Sequence, residues 1–121
     1  MHELSIAMSI IELAEGESER HGGAPVTAVH LKLGVLSGVV KEALLGSFEM
    51  ACEETPLKGA RLVVQELPVL IFCRMCQGQR SISSVQLFCC VECGTPSGEV
   101  VQGKELEVVA LEIEEWDHSP V

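Results

Sequence analysis

Residues 73–94 read CRMCQGQRSISSVQLFCCVECG and contain two Cys-x-x-Cys pairs, Cys73 with Cys76 and Cys90 with Cys93. In each pair the spacing allows both sulfurs to turn toward one ion, and the two pairs lie close together in the chain. Zn²⁺ prefers four tetrahedral ligands, with thiolates at about 2.3 Å. The stretch therefore predicts a structural zinc site on these four cysteines, with no coordination position left open for water or substrate.

Several alternative interpretations of the cysteines stay open in the sequence. Ordinary packing is the usual role of a single cysteine but explains two matched pairs poorly. A redox dithiol needs one Cys-x-x-Cys at a strand-to-helix junction, and iron would suit four thiolates as well as zinc does. Cys89 also has a zinc-type spacing to Cys93, and Cys90 is preferred because it completes the matched pair. Cys89 and Cys52 are assigned no role.

Outside the cysteine region, the apolar pattern alternates between helical and strand periodicity. Apolar residues recur at helical spacing over about 3–20 and again over about 40–54, which predicts two amphipathic helices. A period of two predicts strands over 26–35, 60–67 and 106–113. Residues 69–101 are rich in cysteine and turn residues, and we expect loops tied by metal there.

This order of elements predicts an α+β fold with two helices packed on a small three-stranded sheet and an inserted four-cysteine zinc-binding module. Residues 1–68 and 102–121 would form one α/β domain, interrupted by the module over 69–101. Because the last strand follows the insert, we expect the module to be embedded in the fold.

Charge and composition argue against nucleic acid as a partner. Eight Lys and Arg face 18 Asp and Glu, a net charge of −10, and aromatic residues make up only 3% of the 121 residues. Nucleic-acid binding depends on basic side chains that neutralise phosphates and on aromatic rings that stack on bases. We expect cations and basic protein surfaces as partners. A zinc-ribbon adaptor or nucleic-acid-binding protein without a nickel function is the alternative.

The sequence also predicts a cytoplasmic protein that is not an enzyme and has no membrane partner. No apolar run approaches the length of about 18 to 20 residues that crosses a bilayer, and the N-terminus does not resemble a signal peptide. Cytosolic thiols stay reduced, so paired cysteines favour metal binding over disulfides. Neither a nucleophile with its base nor a phosphate-binding glycine loop is recognisable.

The N-terminus, Met1-His2-Glu3, offers a second type of metal site. The amine of Met1, the backbone amide of His2 and the His2 Nδ1 atom lie within chelating reach of one ion. Square-planar nitrogen coordination suits Ni(II) and Cu(II). The bulk of His2 favours retention of Met1. Taken alone this motif is weak, because Glu3 would also complement the positive end of the first helix.

Together these motifs resemble the HypA/HybF family of hydrogenase maturation nickel metallochaperones. The resemblance covers nearly the whole chain and rests on the stretches 1–5 (MHELS), 31–37 (LKLGVLS), 73–76 (CRMC), 88–94 (FCCVECG) and 103–108 (GKELEV). Gln77 and Val91 depart from the family pattern, since relatives commonly have Gly and Pro there, and Cys89 is an additional thiol.

The resemblance implies that the chain binds Ni(II) through His2, with the Met1 amine and Glu3 alongside, and assists nickel insertion into [NiFe]-hydrogenase. It assigns a structural Zn(II) to Cys73, Cys76, Cys90 and Cys93. It implies a HypB-type GTPase and a hydrogenase large-subunit precursor as partners, and urease accessory proteins as further candidates. The 1–68 plus 102–121 domain would then bind nickel.

Three further histidines are candidates for an additional nickel donor. His21 lies near the end of the first predicted helix, His30 on the polar face of the first strand, and His118 in the C-terminal tail. The sequence does not choose among them.

Overall fold

Two helices and seven strands make up the fold in the computed structural model, which describes residues 2–114. In chain order they are α1 (Glu3–Arg20), β1 (Val26–Gly34), α2 (Lys41–Cys52), β2 (Arg61–Leu67), β3 (Leu70–Cys73), β4 (Gly78–Ser84), β5 (Leu87–Cys90), β6 (Val100–Gln102) and β7 (Leu106–Ile113). A single 3₁₀ turn, Val35–Ser37, follows β1. Met1 and His118 lie outside the described residues.

The two helices pack against each other, and each buries an apolar stripe. On α1 the buried residues follow helical spacing: Ala7, Ile10, Ile11 and Ala14. On α2 they recur every fourth residue: Leu44, Phe48 and Cys52. Gly22 and Gly23, both with positive φ, end α1. The helical periodicity thus located both helices, with α2 slightly shorter than predicted.

The three strands predicted by two-residue periodicity form one sheet, in the order β2-β1-β7. The middle strand, β1, has buried residues on both faces, Ala28 as well as Val29, Leu31 and Leu33. Val29, Leu31 and Leu33 follow the two-residue period that predicted this strand, whereas the burial of Ala28 on the opposite face departs from it. The predicted α+β class, with two helices and a small sheet, is confirmed.

The prediction of loops over 69–101 is wrong. Within this region and just beyond it, β3 to β6 form a second sheet in the order β5-β4-β3-β6. Strands β3 and β4 pair antiparallel, with Cys73 opposite Gly78 and Ile71 opposite Arg80. Three of the strands are only three or four residues long, and β4 is mostly polar, so no apolar alternation indicated them.

The chain divides into two compact units. The first comprises the described residues of Met1–Leu31, Val39–Val64 and Val108–Val121 and contains both helices. The second comprises Lys32–Gly38 and Gln65–Glu107 and contains the four cysteines of the two pairs.

Candidate metal centre

The structure brings the sulfurs of Cys73, Cys76, Cys90 and Cys93 together in the second unit. All four sulfur atoms lie within 4.8 Å of one another. Two short contacts join one cysteine of each pair: Cys73 Sγ lies 3.5 Å from Cys93 Sγ, and Cys76 Sγ lies 3.8 Å from Cys90 Sγ. The two sequence pairs therefore form one four-sulfur cluster.

The spacing of these sulfurs fits a tetrahedral ion. With metal–sulfur bonds of about 2.3 Å, the edges of a regular tetrahedron of sulfurs are about 3.8 Å long. The two short contacts lie at or slightly below that value and no pair of these sulfurs is more than 4.8 Å apart, so the four thiols could accept an ion with movements of about 1 Å. Because all four donors are sulfur, the chemistry suits Zn²⁺, and also iron.

Two short strands position the first cysteine of each pair. Cys73 is the last residue of β3 and Cys90 the last residue of β5, and both are buried. They belong to a small apolar core that they share with Val69 and Ile71. Phe88 and Ile82 pack against this core. The first cysteine of each pair is thus held by packing, whereas Cys93 is exposed at the surface.

Tight turns carry the second cysteine of each pair back toward the first. The Cys76 backbone N–H donates to Cys73 Sγ over 3.5 Å, and the Gly94 N–H donates to the Cys90 carbonyl over 2.8 Å. The residue after each turn, Gln77 or Gly94, has positive φ. Gln77 is the only non-glycine residue between 2 and 114 with positive φ.

The pKa values of two thiols in the cluster, Cys93 and Cys76, shift in opposite directions. The pKa of Cys93 falls from 9.0 to about 6, first because the Thr95 hydroxyl lies 3.1 Å from its sulfur and next because the Thr95 backbone N–H donates to it. The pKa of Cys76 rises to about 12, chiefly because its thiol donates to Cys93. Of these two thiols, Cys93 is therefore the one that loses its proton more readily. No sequence pattern indicated Thr95, which follows the second pair as Cys93-Gly94-Thr95.

The two remaining cysteines lie outside the four-sulfur cluster. Cys89 is half-buried, and its backbone forms an isolated antiparallel β-bridge with Pro96. Cys52 is buried on α2, where desolvation, and then the charges of Glu15 and Glu53, raise the pKa of its thiol. Neither belongs to the group of metal-competent side chains among the described residues.

At the other predicted metal site, His2 is exposed and immediately precedes α1. Its backbone is extended, and its carbonyl accepts the Ile6 N–H over 3.2 Å, so His2 is the N-cap residue. Glu3 is half-buried as the first helical residue, and its carboxylate accepts the Val40 N–H over 3.4 Å. Nothing in the sequence indicated this contact, because it depends on the packing of α1 on α2.

The described candidate histidines are not gathered around His2. His21 caps the opposite end of α1 and is exposed. His30 Nε2 lies 2.6 Å from Glu112 Oε2, a carboxylate that also lies 3.6 Å from Arg61. Within residues 2–114, no helix is both long enough and apolar enough to cross a membrane.

These features define a small α+β metal-binding protein. Residues 1–113 match the family model described as hydrogenase/urease nickel incorporation, metallochaperone, HypA. The chain is 46% identical over 112 residues to the hydrogenase maturation factor HypA of Chloroflexus aurantiacus, covering 93% of this chain and 98% of the relative. It is also 46% identical over 115 residues to the hydrogenase maturation factor HypA of a Roseiflexus species, covering 95% of this chain and 94% of the relative.

Solved structures agree with these sequence relatives. The nickel metallochaperone HypA from Helicobacter pylori superposes with a TM-score of 0.63 at 25% identity, covering 93% of this chain and 97% of that one. A second HypA solution structure gives 0.70 at 25% identity, covering 94% and 97%. The chain belongs to the HypA family of nickel-incorporation metallochaperones, which is not a class of enzymes.

Proposed function

We propose that this chain captures Ni(II) at its N-terminus and delivers it to [NiFe]-hydrogenase during maturation. One observation carries the proposal: in a chain of the HypA family, the imidazole of His2 is exposed at the start of α1. The side chain is thus free to turn toward an ion that the N-terminal amine also binds.

The nickel chelate would use the Met1 amine, the deprotonated His2 amide and His2 Nδ1. The His2 N–H precedes the first turn of α1, so its loss removes no intrahelical hydrogen bond. Ni(II) favours such square-planar nitrogen sets. These three nitrogen donors leave the fourth position of the plane to an exchangeable ligand, which suits transfer by ligand exchange.

The zinc assignment is a separate part of the proposal. Zn(II) on Cys73, Cys76, Cys90 and Cys93 would have no open coordination position, so its role would be structural. Residues 69–101 would form the zinc-binding module, and residues 1–68 with 102–121 the nickel-binding domain. The support is the four-sulfur cluster, in which two sulfur–sulfur distances, 3.5 and 3.8 Å, are close to those around a tetrahedral ion.

For partners we propose a HypB-type GTPase and the hydrogenase large-subunit precursor, with urease accessory proteins as a second destination. The net charge of −10 favours docking to basic protein surfaces. We place this action in the cytoplasm, where thiols such as those of the cluster remain reduced.

The test is calorimetric titration of Ni(II) into zinc-loaded protein with a native N-terminus. We expect one nickel site that His2→Ala abolishes and that His21→Ala, a matched control at the other end of the same helix, leaves intact. Elemental analysis should give one zinc per chain in all three proteins. A wild-type protein that binds no nickel beyond its zinc would overturn nickel delivery and favour a zinc-stabilised adaptor.

A further inference from the structure

The long strand β7 lies at one edge of its sheet, and its middle carries no charge. Within residues 2–114 it has a neighbouring strand, β1, on one side only. Edge strands present backbone N–H and C=O groups that can pair with another chain, and proteins commonly protect them with charged residues or proline. Residues 108–111 read VVAL and contain neither, and the Val109 side chain is 48% exposed. The middle of β7 is therefore open to pairing with a further strand.

A groove of about 580 Å³ lies between this part of β7 and α1. Leu13, Glu17 and His21 of α1 form one wall, and residues 108–111 with Ile113 form the other. Each wall exposes a large apolar side chain, since Leu13 is exposed to the same extent as Val109. As a strand, residues 108–113 span about 20 Å, so an extended segment of similar length matches the groove.

Both walls of the groove belong to acidic segments of the chain. Residues 105–114 contain four Glu and no Lys or Arg, and residues 3–20 contain five Glu and one Arg, which pairs with Glu17. A second copy of β7 in this groove would bring like charges together, and this destabilises strand pairing. Basic residues in the added segment would instead be attracted. Charge therefore favours a basic partner segment over a second copy of the chain.

We propose that the groove between α1 and β7 binds an extended segment of a partner protein in which basic residues alternate with apolar ones. The segment adds to the sheet as a fourth strand beside β7. Backbone hydrogen bonds to β7 supply affinity, and side chains at alternate positions supply specificity. The apolar side chains contact Leu13 and Val109, and the basic ones face the surrounding carboxylates. Such binding depends on neither metal site and goes beyond nickel delivery.

Two exposed valines on edge strands provide a matched pair of substitutions. Val109→Lys places a positive charge in the groove, where it should repel a basic segment, and the fold should tolerate it because the side chain is exposed. Val101→Lys makes the same change of charge on β6, at the edge of the other sheet, where the valine is 45% exposed. Circular dichroism and zinc content should be the same in both variants and in wild type.

The probe is the peptide acetyl-KVKVKVK-amide, titrated into zinc-loaded protein without nickel and followed by nuclear magnetic resonance. We expect it to shift the amide signals of residues 108–113 and to slow hydrogen exchange of the β7 amides that face away from β1. Val109→Lys should weaken binding by about tenfold, because like charges brought together in an interface are strongly unfavourable. Val101→Lys should leave the affinity unchanged.

Two further peptides separate strand addition from simple charge attraction. KKKKVVV has the same composition without the alternation, and EVEVEVE keeps the alternation with the opposite charge, so both should bind more weakly than KVKVKVK. Equal binding of KKKKVVV, or a KVKVKVK peptide that leaves the β7 amides unaffected, would overturn the proposal. A dimer of wild-type protein that Val109→Lys dissociates would overturn it too, because a second copy would then occupy the groove. Failure of the nickel site alters none of these results, since no nickel is present.

Discussion

Gln77 and Gly94 occupy equivalent places, each directly after the second cysteine of its pair, and both adopt a left-handed backbone, with φ of +59° and +77°. Glycine adopts this conformation without steric cost, whereas another L-residue is strained by about 1 to 2 kcal/mol. The two turns of the cluster thus have the same backbone requirement, and only the second meets it with glycine.

Gln77→Gly should therefore stabilise the protein. We expect a gain of about 1 kcal/mol from relieved strain, reduced by the loss of the hydrogen bond from Gln77 Nε2 to the Arg74 carbonyl. Chemical denaturation of zinc-loaded protein measures it. Gln79→Gly, an exposed strand position two residues on, should instead destabilise by about 0.5 to 1 kcal/mol. Equal effects at both positions would contradict this account of the turn.

Gly34 should tolerate no side chain. A Cβ at Gly34 would lie 2.1 Å from the Gly103 carbonyl oxygen and 2.7 Å from the Glu105 nitrogen. These neighbours are backbone atoms, and two hydrogen bonds hold them there: Gly34 N–H to the Glu105 carbonyl over 2.8 Å, and Leu36 N–H to the Gly103 carbonyl over 2.7 Å. We expect Gly34→Ala to destabilise the protein by about 3 kcal/mol in urea unfolding.

The control for Gly34 is Gly46→Ala. Gly46 lies within α2, and an added Cβ there would meet no atom within 4 Å. Alanine in a helix interior is favoured over glycine by about 1 kcal/mol, so this variant should be stabilised. If Gly34→Ala destabilised the protein no more than Gly46→Ala, the backbone at Gly34 could not lie as close to Gly103 and Glu105 as described.

Sequence periodicity located the elements whose side chains are regularly buried, and it failed where pairing depends on other parts of the chain. α1 was predicted over its observed length because Ala7, Ile10, Ile11 and Ala14 repeat at helical spacing. β4 was missed because its residues, GQRSISS, show no apolar alternation, and its pairing with β3 follows from the turn at the first cysteine pair.

The candidate site shows the same division. The four cysteines were predicted from spacing, and the structure brings their sulfurs together. The positive φ of Gln77 and the contact between Glu3 and Val40 were not predicted. The first runs against the conformational preference of glutamine, and the second joins residues 37 positions apart through helix packing. Neither follows from a local pattern.

Thr95 should control how zinc binding depends on pH. Its hydroxyl and N–H lower the pKa of Cys93 to about 6, so this thiol ionises at a lower pH than an ordinary cysteine. Metal must displace protons from thiols, and a ligand with a lower pKa keeps its affinity to lower pH. Thr95→Val should raise that pKa toward 9.0, and apparent zinc affinity should then fall more steeply as pH decreases from 9.0 to about 6.

Competition with a chromophoric chelator across this pH range measures the effect of Thr95. Thr27→Val is the control, since the Thr27 hydroxyl bonds to the Glu112 carbonyl and belongs to the other unit. Its zinc affinity should follow the wild-type pH profile. Parallel profiles for Thr95→Val and wild type would show that the hydroxyl does not stabilise the Cys93 thiolate.

Removal of a cysteine of the four-sulfur cluster should release zinc, whereas removal of Cys89 should not. Cys73→Ser places a weaker ligand at a buried position of the four-sulfur cluster, and we expect zinc content to fall from one per chain to near zero. A structural zinc ion contributes on the order of 10 kcal/mol to folding, so residues 69–101 should become sensitive to protease.

Cys89→Ser is the matched control for the cluster, because Cys89 directly precedes Cys90 but lies outside the four-sulfur group. Elemental analysis and limited proteolysis should find it indistinguishable from wild type. Zinc loss in Cys89→Ser with retention in Cys73→Ser would assign the ligands differently. A red-brown protein with iron in place of zinc would keep the four ligands but favour electron transfer over a purely structural role, since tetrahedral sulfur accepts either metal.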